Sequence, residues 1–130
     1  MESSRNDKFD ISEIKPSILL VTVFTGVDLE VDDVRDMRDR MDELSSTPKY
    51  AVLLDATNHF VITGEGRALI ADKEFGKNRL AAAFVVTSMA NRIVGNFFIN
   101  FNKPHSPTKL FNIEEEALKW LEEQLNKANL

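Results

Sequence analysis

Residues 50–56 read YAVLLDA, an apolar run broken only by an acid near its exit, and three further runs share its character: ILLVTVF at 18–24, LAAAFVV at 80–86 and the shorter TKLF at 108–111. A strand that is apolar on both faces cannot meet water on either. These runs therefore read as strands of a mostly parallel sheet covered by helices. The alanines of LAAAFVV favour helix by propensity, but its continuous apolar character and the Thr87-Ser88 cap signal behind it favour a strand.

The intervening segments carry helical periodicity. Val31, Val34, Met37, Met41 and Leu44 recur at steps of three and four with charged residues between them, which predicts a surface helix with one buried stripe. Its Arg35/Asp39, Asp36/Arg40 and Arg38/Asp42 spacings suit i,i+4 ion pairs on a solvated face. A second helix is expected to start near Thr63 or Gly64, bury Ala68, Leu69 and Phe75, and end about Gly76. A third, over 89–102, places Ala90, Ile93, Val94, Phe97, Phe98 and Phe101 on one broad apolar face. Asn112, with Glu115 three residues on, predicts an N-cap for a last helix carrying Ala117, Leu118, Leu121 and Leu125. Upstream, Phe9 and Ile11 alternate in a segment that reads as an edge strand, ended by Pro16 and paired with 18–24 as a hairpin. Residues 1–7 read as a flexible terminus and 8–130 as one α/β domain of about five strands and four helices. Leu20, Val52, Leu54, Phe84, Val86, Phe97 and Leu121 are expected in its core.

Composition narrows the function classes. A net charge of −5, with scattered Lys and Arg, argues against a nucleic-acid surface. The chain has no cysteine, so disulfides and thiolate metal sites are excluded. No apolar stretch reaches the roughly 18 residues of a membrane span, and the polar start MESSRND is unlike a signal peptide, which together predict a cytoplasmic protein.

In open parallel sheets, ligands lie beyond the carboxyl ends of the strands, where helix N-termini converge. The candidate binding residues at these exits are Asp55, Asn58, His59, Thr63, Gly64, Ser88 and Arg92. The Asp, Asn, Thr and Ser among them also have a reading as helix caps or turn formers. TGEGR at 63–67 has Leu69 where a dinucleotide fingerprint needs its third glycine, and lacks the Lys-Ser or Lys-Thr of a phosphate loop. The only histidines, His59 and His105, have no ligand-spaced partner, and no activated nucleophile accompanies Asp55 and His59. No catalytic residue, metal or cofactor is expected.

The element order, with YAVLLDAT at 50–57 leading through a short loop to TGEGRALI at 63–70, resembles the STAS domains (sulfate transporter and anti-sigma factor antagonist), whose fold is called SpoIIAA-like. The chain also looks like small bacterial proteins grouped with STAS and with CRAL-TRIO lipid-transfer domains, in which a segment similar to NRIVGNFFINFNKPHSPTKLFNIEEEALKWL, 91–121, closes the chain. In phosphorylatable STAS antagonists a strand ending in Asp is followed by Asp-Ser-Ser-Gly at a helix start, with the modified Ser facing the partner kinase. Here Asp55 matches the strand end and Thr63-Gly64 falls at Ser-Gly, while Ile62 stands where the acid and second hydroxyl are expected. The resemblance implies a non-enzymatic regulatory module with Thr63 as the phosphorylation position. The alternative is a carrier or sensor of a small hydrophobic or lipid-like ligand, with Phe97, Phe98 and Phe101 as a pocket wall or as the interface of a homodimer.

Overall fold

The N-terminal hairpin forms, and it carries one strand more than expected. In a computed structural model that describes residues 3–128, β1 (Ser3–Arg5) pairs antiparallel with β2 (Phe9–Lys15), and β2 pairs antiparallel with β3 (Ile18–Val23). Residues 3–5, expected in a flexible terminus, are therefore strand. Arg40 donates to Ser4 Oγ at 2.9 Å and Arg5 lies over the Phe24 ring at 4.7 Å, so polar and cation–π contacts hold a segment with no apolar pattern. Residues 1, 2, 129 and 130, the ends of the expected terminus and domain, lie outside the described residues.

The chain continues through β4 (Asp28–Leu29), α1 (Val31–Leu44), β5 (Tyr50–Asp55), β6 (Val61–Ile62), α2 (Gly64–Ala71), β7 (Arg79–Val85), α3 (Met89–Phe97), β8 (Thr108–Phe111) and α4 (Glu114–Lys127). Six strands form the main sheet in the order β1-β2-β3-β5-β7-β8, with β3, β5, β7 and β8 mutually parallel. The short β4 and β6 pair parallel as a separate ribbon.

The two faces of the sheet are covered differently. On one, Ala51, Leu53, Ala81, Ala83 and Val85 meet Ala117, Leu121 and Leu125 of α4, all of them buried. Small side chains on both partners let α4 lie close along β5 and β7. On the other face, side chains of Val21, Val52, Leu54, Phe84 and Val86 point toward α1, α2 and α3. There α1 rests on β1, β2 and β4, while α3 rests on β8, where Gly95 allows the approach: a Cβ at that position would stand 2.8 Å from Leu110. The helix backbones come nearest the outer strands, while Met37 and Met41 share one buried cluster with Tyr50, Val52 and Ala82 of the middle ones and Phe98 meets Phe84.

Several local expectations are corrected. α2 ends at Ala71, not Gly76, because the Asp72 carboxylate accepts from the Phe75 N–H at 2.9 Å and turns the chain. Asn112 does not cap α4; Ile113 holds that position without a side-chain bond, and Asn112 accepts instead from the Arg92 guanidinium. The third helix passes into a π-helical turn at Phe98–Asn102; ahead of it Asn91, Gly95 and Phe98 share the inward face, which leaves Phe97 46% exposed and Phe98 5%. Phe97 is thus outside the core, while Leu20, Leu54 and Phe84 are only partly buried. In α1, Arg40 pairs with Asp36 at 2.9 Å and Arg38 with Asp42 at 3.8 Å as expected, but Asp39 pairs with Arg38 instead of Arg35.

This asymmetry predicts unequal responses at neighbouring leucines. Leu53→Ala, on the α4 face, is expected to destabilise by about 3–5 kcal/mol, and Leu54→Ala, which faces the loosely filled side, by about 1–2 kcal/mol. Urea denaturation of the two variants checks the ordering.

Candidate functional site

The helices reach β5 and β7 through side chains, and a partly open cavity of about 250 Å³ lies between. Its floor is made by alternate residues of the two central strands: Tyr50, Val52, Leu54 and Ala56 from β5 and its exit, and Ala82, Phe84 and Val86 from β7 and its exit. The floor follows β5 from Tyr50 to Ala56, six steps of about 3.3 Å, or about 20 Å. Met37 and Met41 of α1, Ile70 of α2, Val94 of α3 and Phe98 complete the apolar walls, with Phe98 tilted against Phe84 at 5.8 Å between ring centroids.

Polar groups gather at the two ends. At the exit end, Asn91 donates through Nδ2 to the carbonyls of Ala56 at 2.6 Å and Asn58 at 3.1 Å, tying α3 to the β5 exit. At the opposite end, the Tyr50 hydroxyl donates to Asp42 at 2.6 Å, and Asn78 donates to the same carboxylate at 3.3 Å. Burial first, then this bond to a carboxylate, pushes the Tyr50 phenol well above its usual range, so it stays a neutral donor. Beside it, Arg79 donates to the Ile70 carbonyl at 2.7 Å and to Ser106 Oγ at 3.4 Å. Burial pushes its guanidinium pKa below the ordinary value, the nearby Tyr50 acting in the opposite sense. Gly76 makes room for it, since a Cβ there would stand 2.7 Å from His105 and 3.1 Å from Arg79 Nη2.

The exit residues singled out in the sequence are placed as follows. Asp55 accepts from the N–H and hydroxyl of Thr57 and shapes the turn. Asn58 donates to the Val23 carbonyl, and exposed His59 lines the cavity. Thr63 and Ser88 cap α2 and α3, accepting from the N–H groups of Gly66 and Asn91. Arg92 reaches Asn112 beyond β8 whereas Asn58 bonds toward β3, so the two do not converge. Thr63 and Gly64 border a shallow depression shared with Glu30, Asp32 and Glu65. Of the three phenylalanines, Phe98 lines the cavity, while Phe97 and Phe101 stack on each other at 4.8 Å between centroids and stay exposed. The sequence reading missed Tyr50, Arg79 and Ala82. The available signal was a cation at the head of an otherwise apolar strand. Among the described residues no cluster of three or more His, Asp or Glu side chains is placed to hold a metal, and no helix is long and apolar enough to cross a membrane.

A family model matches residues 12–125 of the chain. The chain belongs to the family described as a domain of unknown function, DUF7793. Among solved structures, it is similar to an uncharacterized protein of the DUF3478 family with a SpoIIAA-like fold from Shewanella loihica, at 19% identity and a TM-score of 0.60, covering 91% of this chain and 98% of that one. The fold is SpoIIAA-like. No curated protein matches the chain.

Partial burial first, then the neighbouring Arg79 charge, hold the His105 imidazole below its usual value, with backbone bonds acting in the opposite sense. A histidine whose pKa is depressed by folding binds its proton more readily when unfolded. Stability is therefore expected to decline as pH falls through the unfolded value of about 6.5, and His105→Gln should flatten that decline. Urea midpoints between about pH 7.5 and 5.5 measure it.

Proposed function

We propose that this protein is a non-enzymatic carrier or sensor that holds a small apolar or lipid-like molecule between its central strands and its third helix. The cavity along β5 and β7 carries this reading. At about 24 cal/mol per Å³, a dry void of about 250 Å³ would cost roughly 6 kcal/mol as an upper bound. That is comparable to the whole stability of a domain of this size, about 5–15 kcal/mol. A bound apolar molecule restores the missing contacts and removes the cost.

Native mass spectrometry of freshly purified protein, with organic extraction of the same sample, tests the reading. The expected result is an extra mass that extraction removes, together with a lower Tm of the extracted protein. An unadorned mass, with no thermal shift from alkyl alcohols or acids of about six to twelve carbons, would contradict it.

A second reading, a regulatory module that docks on a partner or on a second copy of itself, is favoured by a separate observation. Met89, Ile93, Val94, Phe97 and Phe101 of the third helical segment are each between 46% and 74% exposed, a contiguous stretch of chain with more apolar surface than a solvated helix needs. Phosphate on Thr63 would sit beside Glu30, Asp32 and Glu65, so the switch implied by the STAS resemblance is opposed by local charge. Sedimentation equilibrium at micromolar concentration is expected to give a dimer, and the paired Ile93→Glu, Phe101→Glu variant a monomer. A monomeric wild type would remove the self-association reading.

A further inference from the structure

The cavity has a sign. Among its lining residues are three arginines, Arg38, Arg67 and Arg79, against one carboxylate, Asp42, so the formal lining charge is +3 − 1 = +2 in a chain whose net charge is −5. One of the cations is already paired, Arg38 with Asp39 at 2.9 Å and Asp42 at 3.8 Å. Arg67, at the start of α2, donates to the Ile62 carbonyl and lies over the exposed Phe97 ring at 5.6 Å, with its Nε buried and unpartnered. Arg79 is the cation that stands beside Tyr50 at the opposite end. Among the described residues no carboxylate lies within ion-pair distance of it, and its donors reach only a carbonyl and a hydroxyl. A largely buried guanidinium without an anion is costly, and its fork of donors matches a carboxylate in two-point geometry. Asp42, at the same end, is taken up by Tyr50, Asn78 and Arg38, so it does not serve as that anion.

We infer that the ligand is an unbranched alkyl carboxylate whose head group pairs with Arg79 beside Tyr50 and Ser106, and whose chain runs along β5 toward Ala56. The apolar floor, about 20 Å long at about 3.3 Å per residue, offers an extended chain a continuous apolar track. The volume of about 250 Å³, at about 30 Å³ for each water-sized group, has room for roughly eight non-hydrogen atoms, a medium-length chain. A single unpaired guanidinium at that end balances one negative charge, which favours a carboxylate over a doubly charged phosphate.

This inference rests on the ligand-holding reading above, and the test separates the two. Extracted wild-type protein is titrated calorimetrically with octanoate, octanol and octyl phosphate, and Arg79→Met with the first two. Octanoate is expected to bind wild type at least about tenfold more tightly than octanol, the lower end for a hydrogen bond to a charged group. Arg79→Met should lose that preference while its octanol affinity changes by less than about threefold. Equal binding of octanol and octanoate to wild type would overturn the head-group assignment and leave the cavity reading standing. Tighter binding of octyl phosphate than octanoate would also overturn it, and failure of all three ligands would sink both. The wild-type comparison decides the matter even if Arg79→Met does not fold.

Discussion

The structure depends on how closely helices can approach the two faces of one sheet. On the α4 face, alanines at 81, 83 and 117 allow near contact, and that face is filled by Leu53, Leu121 and Leu125. The opposite face presents Val52, Leu54, Phe84 and Val86, and its helices bear on β1, β2, β4 and β8. The helix backbones come nearest the margins, only their side chains reach the middle, and a void remains along β5 and β7. The ligand-holding reading follows from that void.

Most of the fold was legible because the central strands are apolar on both faces and the helices between them are periodic. The hairpin, the parallel order and the starts of α2 and α3 at Thr63 and Ser88 all come from such local signals. The misses share a different physics. β1 is polar and is held by Arg5 and Arg40, and β4 and β6 are two residues each, too short for any period to show. Asn112 had the right neighbours for a cap, but Arg92 recruits it from another element. In the third helix the inward face carries Asn91, Gly95 and Phe98 and not the more apolar stripe of Ile93, Val94 and Phe97, so the apolar pattern pointed to the wrong side.

The site was less legible than the fold. The exit residues Asp55, Thr63 and Ser88 were identified by a topological rule, and in the structure their side chains are committed to the backbone of their own turns and caps. The alternation of side chains shows which strand residues face a helix layer. It does not show how far away that layer stands, so Val52, Leu54, Phe84 and Val86 read simply as core when they also line the cavity. Arg79 belongs to the same category. Its place at the head of a buried strand is visible in the sequence, but the lack of a carboxylate partner is a property of the assembled neighbourhood.

The central claim is that the space over β5 and β7 is unfilled by protein and kept for a ligand, and Ala82→Leu tests it most directly by adding side-chain volume to the cavity floor. In extracted protein the account predicts a higher urea midpoint, a gain of about 0.5–2 kcal/mol as expected for filling a cavity, with loss of binding to apolar ligands. A destabilised Ala82→Leu, losing about 1–3 kcal/mol as overpacked cores do, would contradict it, because it would show that the space is already occupied by the protein's own side chains.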